Sequence, residues 1–268
     1  MQRNRKIRKI ITQTLQEIPT SKKQITKNGN VILNQNKTNN KKIFIKPNIV
    51  SQHKIKEMSI TSNKEICTIE PIWLDETVYI IGGGPSLNNF NWNSLQGKKT
   101  IAINKAFYAY PKADALYFTD SRFYTWYKED IDNFKGLTYT ITPAAIKLSS
   151  NINVINRGQK LGLSKNKQTL SHGNNSGYAA INLAYLLGAK RIILLGYDMG
   201  NDGVKGHFHE GYPTHLTSNQ IYSNQFIPAL ESLAPLLKNA GIEVYNACMN
   251  SMLNVYPKIS IDKALSFR

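Results

Sequence analysis

The chain has 268 residues, 41% of them hydrophobic, and a formal net charge of +17, which accommodates one large folded domain plus a charged tail. Its two cysteines, Cys67 and Cys248, are too few for a disulfide framework and lack metal-site spacing, so both are expected to be simply packed in a reducing compartment. There is no run of about 18 apolar residues to span a membrane and no apolar stretch behind the basic N-terminus to form a secretory signal. A soluble, cytoplasmic protein is expected.

The charge is uneven. Residues 1–70 hold 15 Lys/Arg against 4 acidic side chains, a balance of +11, which leaves +6 for residues 71–268. Such a segment suits contact with nucleic acid or an anionic surface; a Lys/Asn composition bias on a solvated arm would give the same count. Ile7, Ile10, Ile11 and Leu15 recur at near-helical spacing and predict a short basic helix over residues 1–16. Residues 21–69 are rich in Lys, Asn, Gln and Thr, with β-prone bits at 31–33 and 43–45, and read as an extended, partly disordered arm. The expected division is a basic arm over 1–69 and a folded domain over 70–268.

Strand signals start at Thr77-Val78-Tyr79-Ile80-Ile81, a short β-branched run of the kind found in a buried parallel strand. The glycine turn Gly82-Gly83-Gly84-Pro85-Ser86 follows directly. Further strands are expected at 100–103, 115–118, 139–141, 153–155, 191–195 and 242–245, with helices over 176–187 and 221–239. Pro228 and Pro235 predict a kink or split in the last helix. Alternation of strands with helices implies a Rossmann-like α/β fold, a mostly parallel sheet with helices on both faces. That fold binds ligands outside the carboxyl ends of its strands. Here those ends carry the glycine turn, Asn104, Asp120, Asp198 and Asn246.

Three glycines let a ligand approach the main chain closely, and Pro85 with Ser86 suits a helix start whose N–H groups face an anion. A purely structural turn would look the same. The spacing matches neither the dinucleotide pattern nor a Walker loop. Asn104 reads as a base, ribose or sugar contact or as a helix cap, and Asp120 reads first as a cap. Asn175-Ser176-Gly177 opens a helix of small residues, a second anion-friendly helix end or an ordinary capped one. Three of the five histidines, His207, His209 and His215, fall within nine residues. His207 and His209 would share one side of an extended segment. They suit a general base and a leaving-group stabiliser; a metal site with Asp198 or a cluster without function are the other readings.

Together these segments resemble the family 42 bacterial sialyltransferases. The likeness rests on Val78 through Leu87, on Ile103-Asn104-Lys105-Ala106-Phe107, on Asn175-Ser176-Gly177 through Gly188, on Arg191 through Asp198, and on Cys248-Met249-Asn250-Ser251-Met252-Leu253. The same skeleton is similar to archaeal 6-hydroxymethylpterin diphosphokinase and to flagellin-modifying glycosyltransferases. The Leu116–Asp120 segment and the His207-Phe208-His209 loop resemble phage-encoded members most, which would place the protein in a host cytoplasm. The resemblance spans roughly residues 74–265 and implies a nucleotide-activated donor held by Gly82 to Ser86, Asn104, Asp120, Asn175, Ser176, Gly177, Asp198, Asn250 and Ser251. The chain departs from the family at Gly83, where the family has Asn, and at Gly200, where it has a leaving-group tyrosine. His215 is the nearest analogue of its catalytic histidine.

The expected function is therefore group transfer from a nucleotide-activated donor, glycosyl transfer first, with His209 or His215 as base, His207 at the leaving group and no cofactor. The alternative is diphosphate transfer from ATP, with Mg²⁺ on Asp198, Asp120 and Asp202. A third reading is a non-catalytic accessory protein binding nucleic acid through residues 1–69.

Overall fold

The computed structural model describes residues 23–25, 31–33, 65–147, 151–200, 207–209 and 218–267, and the chain divides into two units, Met1–Ser59 and Ile60–Arg268. In the first unit β1 (Lys23–Ile25) pairs antiparallel with β2 (Val31–Leu33), one of the two β-prone runs of the sequence. The helix expected over residues 1–16 and the run at 43–45 lie outside the described residues.

The second unit is built on a parallel sheet. Its strands are β3 (Thr77–Ile81), β4 (Lys99–Ile103), β5 (Ala115–Phe118), β6 (Leu137–Thr140), β7 (Ile152–Val154), β10 (Arg191–Leu195) and β11 (Glu243–Asn246). They lie in the order β11-β10-β3-β4-β5-β6-β7, every neighbouring pair parallel. Two short strands, β8 (Asn156–Arg157) and β9 (Thr169–Leu170), pair separately. The helices are α1 (Ala106–Ala109), α2 (Ser121–Asn133), α3 (Ser176–Leu186), α4 (Ile227–Asn239) and α5 (Ile261–Ser266). This is the Rossmann-like α/β architecture expected from the sequence. Order reaches further back than Pro71. The Cys67 amide donates to the Val154 carbonyl at 2.7 Å, the Ile69 amide donates to Lys167 at 2.8 Å, and Ile69 is buried.

Strand periodicity of two sorts the apolar residues into two cores. Val78, Ile80, Ile101, Ile192 and Leu194 face α3 and α4, which contribute Ala180, Leu183, Leu230 and Leu233. Tyr79, Ile81, Ala102, Leu116, Phe118 and Ile193 face Phe107 of α1, Phe123 and Ile131 of α2, and Ala264 of α5. Every residue of β3 is buried, which explains why its sequence is continuously apolar rather than alternating. Each such aliphatic or aromatic side chain contributes about 1.5–3 kcal/mol on full burial.

The strand order reverses at β3. From β3 the chain steps outward through β4, β5, β6 and β7, then returns through α3 to β10 on the other side of β3 and moves on to β11. Right-handed crossovers therefore place α1 and α2 on one face, and α3 and α4 on the other. The loops leaving β3 and β10 diverge to opposite faces, and the crevice between them is the position where such sheets bind ligands.

The split expected at Pro228 takes a particular form. Helical structure begins at Asn219, and Tyr222–Phe226 forms a wider turn with i→i+5 bonding that runs directly into α4. Pro228 has no N–H, and its ring crowds the carbonyl four residues back, so the preceding turn widens. Pro235 is accommodated inside α4 without a break.

Candidate functional site

The glycine turn is held against the end of β10. The Gly82 amide donates to the Leu195 carbonyl at 2.7 Å and the Gly84 amide to the Gly196 carbonyl at 2.9 Å. A Cβ on Gly84 would lie 1.8 Å from Asp198 Oδ2, and one on Gly82 would lie 2.7 Å from the Gly196 oxygen. Two of the three glycines are thus required by the chain's own packing. Asp198 reaches back across the crevice: Oδ1 accepts from the Ser86 amide at 2.9 Å, and Oδ2 accepts from the Ser86 hydroxyl at 2.7 Å. The three-residue helical turn Pro85–Leu87 therefore already has a carboxylate where an incoming anion was expected.

The middle glycine serves a different neighbour. A Cβ on Gly83 would meet His207 Nδ1 at 2.9 Å and His209 Nε2 at 3.3 Å, and the Gly83 carbonyl accepts from the Phe208 amide at 2.9 Å. The two imidazoles stack with centroids 4.9 Å apart and planes 13° from parallel, so they do share one side of the segment. Phe208 turns the other way, onto Trp92 with centroids 5.4 Å apart. Burial holds the His207 pKa below the ordinary histidine value; hydrogen bonding to the Gly83 backbone opposes this, and the Lys105 cation adds to it. At neutral pH His207 is therefore neutral, able to donate or accept a hydrogen bond but not to act as a standing cation. His215 and Asp202 lie outside the described residues.

Opposite the glycine turn stands the start of α3. Asn175 caps it, its Oδ1 accepting from the Tyr178 amide at 2.7 Å. The Ser176 hydroxyl bonds to Thr119 Oγ1 at 3.2 Å, and Tyr197 OH donates to the Gly177 carbonyl at 3.1 Å. The α3 start and the glycine turn line one cleft of ≈ 140 Å³, to which Gly82, Gly83, Gly84, Asn175, Ser176, Gly177 and His207 all contribute. The cleft takes a fragment the size of a phosphate group or a single sugar ring. Its chemistry is a helix N-terminus, a close backbone and one neutral imidazole, which suits an anionic group undergoing transfer.

Other residues singled out in the sequence sit elsewhere. Asp120 caps α2, accepting from the Arg122 amide at 2.8 Å, and pairs with the Arg122 guanidinium at 2.5 Å. The Arg122 hydrogen bond holds its carboxyl below the usual range. Asn104 does not cap α1, whose first turn is entered through Lys105; it adopts a left-handed backbone with φ 50° as the chain leaves β4. Ser251 is buried and structural in its contacts: its hydroxyl donates to the Tyr197 carbonyl at 2.6 Å and accepts from the Leu253 amide at 3.0 Å. Asn250 is exposed. Asn246 uses its side-chain oxygen to take the Cys248 amide at 3.1 Å. Among the described residues no three His, Cys, Asp or Glu side chains gather as a metal site, and Asp198 and Asp120 are held in separate capping contacts.

Sequence reading missed several lining residues: Tyr197, Met199, Tyr222 and Phe226. Tyr197 was findable beside Asp198 at a strand end. Tyr222 and Phe226 reach the cleft from the widened turn before Pro228, whose geometry no simple periodicity reveals.

No family model and no curated protein matches the chain. Two solved structures of the sialyltransferase CstII from Campylobacter jejuni are similar to it. The complex with cytidine-5'-monophosphate has 19% identity and a TM-score of 0.46, covering 70% of this chain and 86% of that one. The complex with CMP-3FNeuAc has 18% identity and a TM-score of 0.42, covering 72% and 88%. Identity at this level leaves the reaction to be read from this chain's own residues.

Proposed function

We propose that the protein transfers a glycosyl group from a nucleotide-activated sugar. One observation supports this above all: the glycine turn, the N-terminus of α3 and His207 converge on a single cleft at the reversal point of the sheet. A donor phosphate would sit between the α3 amides and the Gly82–Gly84 backbone. His207, neutral and beside Gly83, would donate a hydrogen bond to the departing phosphate oxygen. His209, stacked on it, would take the acceptor proton. Diphosphate transfer with Mg²⁺ is less well supported, because Asp198 and Asp120 are each committed to a backbone cap.

The test is turnover of CMP-, UDP- and GDP-sugars and of ATP by the full chain, without added metal and then with Mg²⁺. The reading expects one donor class to be cleaved without metal, and a fall of about 10²–10⁴-fold in His209→Ala. Cleavage of ATP alone, strictly with Mg²⁺, would overturn it in favour of the diphosphokinase reading.

A further inference from the structure

Beneath the cleft lies a row of three hydroxyls. Tyr117 sits on β5 two positions before Thr119, so strand alternation turns both side chains to the face of the sheet that α3 covers. Tyr117 OH and Thr119 Oγ1 are 3.1 Å apart. Thr119 Oγ1 is in turn 3.2 Å from the Oγ of Ser176, the first residue of α3 and part of the cleft wall. Thr119 is also pinned at its carbonyl, which accepts from Thr142 Oγ1. The row therefore runs from the core, where Tyr117 is fully buried, to the surface of the cleft.

Each hydroxyl has one hydrogen, so the row points either inward or outward. Inward, Ser176 donates to Thr119 and Thr119 to Tyr117, and the phenol hydrogen is left in the core without an acceptor. Outward, Tyr117 donates to Thr119 and Thr119 to Ser176, and the Ser176 hydrogen faces the cleft. Thr119 is the one hydrogen-bond partner of the Tyr117 hydroxyl among the described residues, and an unbonded buried donor is the costlier arrangement. Burial raises the Tyr117 pKa against smaller opposing effects of the Thr119 bond and the Arg157 charge, so the phenol keeps its hydrogen. We infer that Tyr117 and Thr119 are positioning residues that hold the Ser176 hydroxyl as a donor toward an anion in the cleft, which rests on the reading of this cleft as the donor-phosphate site. The hydrogen is aimed before any ligand arrives, so binding needs no reorientation, and hydrogen bonds in series strengthen one another. The cleft thereby favours an acceptor-only group such as a phosphate over one that must itself donate.

The experiment is calorimetric titration of the full chain with inorganic diphosphate. Tyr117→Phe is expected to weaken binding about three- to tenfold, Thr119→Val by a similar factor, and the two together no more than either alone. In a Ser176→Ala background Tyr117→Phe should change nothing further, whereas a merely structural role would lower affinity in both backgrounds. Tyr139→Phe, the same change at the position paired with Tyr117 on β6, should bind as the parent does. Near-ultraviolet circular dichroism establishes that each variant is folded, and Thr119→Val carries the test if Tyr117→Phe is not. The inference is overturned if the parent does not bind diphosphate, if Tyr117→Phe and Thr119→Val bind undiminished, or if the effect persists without the Ser176 hydroxyl. Donor turnover is measured separately. Diphosphate binding that depends on Tyr117, without turnover of any nucleotide sugar, removes the proposed function and spares this inference; turnover with parental diphosphate affinity in Tyr117→Phe does the reverse.

Discussion

At the scale of single residues, adjacent glycines carry different duties, and substitution should separate them. Gly84→Ala drives a Cβ into Asp198 and the Gly196 carbonyl, so a loss of about 1–3 kcal/mol in urea unfolding is expected from overpacking. Gly83→Ala meets first the two imidazoles, side chains that can turn aside. The expectation there is near-parental stability with a large fall in donor turnover, and parental turnover would argue against the histidines' role. His207 also sets a pH dependence. Its folded pKa lies below the ordinary 6.5 because of burial, and His172 shifts the same way through burial and the Arg157 and Lys160 charges. The unfolded chain then binds more protons between the folded values and about 6.5, so stability is complete above that pH and falls as pH drops through the window. Urea midpoints should decline as pH falls below about 6.5, and His207→Asn should flatten part of the decline. Little of this was legible beforehand. The sequence marked the glycines and the histidine cluster as unusual, but a one-dimensional reading cannot show that Asp198, 112 positions from Ser86, closes the turn.

Secondary elements were more legible, for reasons that differ between them. The strands β3 and β10 are short, apolar after their first residue and followed directly by glycine, so their pattern has one reading, and β10 appears at its expected bounds. The ends of β6 and β7 shift by a residue or two, because Leu137 and Ile152 extend the apolar runs. The Tyr222–Phe226 turn was not legible, since it arises from a missing N–H two residues further on. The start of α3 offers a direct test of electrostatics. Asn175→Asp keeps the cap, because aspartate accepts the Tyr178 amide equally well, yet it sets a negative charge beside the cleft. Melting temperature should stay within about 1 °C of the parent, while affinity for a nucleotide diphosphate falls. Asn175→Ala should instead lose about 1 kcal/mol of stability.

For the whole molecule, the sheet order decides where function resides. Reversal at β3 opens a crevice, and the chain places its glycine turn, its α3 start and His207 there. The alternation of strands and helices made the fold readable; the neighbour of β3 was not, because the return to β10 spans long connections. The basic excess of residues 1–70 belongs to a separate proposal, contact with nucleic acid. Binding of duplex DNA by the full chain should weaken steeply with salt and vanish when residues 1–59 are removed. Binding that survives their removal would assign it to the folded unit instead.

The central claim is that the crevice binds a nucleotide-activated donor, and calorimetric titration of the full chain with CMP, CDP, UDP, GDP, ADP and ATP, with and without Mg²⁺, tests it most directly. The account predicts saturable binding of at least one pyrimidine or guanosine nucleotide without metal, weakened in Asn175→Asp. Absence of binding by every nucleotide, or binding unaffected by that charge, would contradict it.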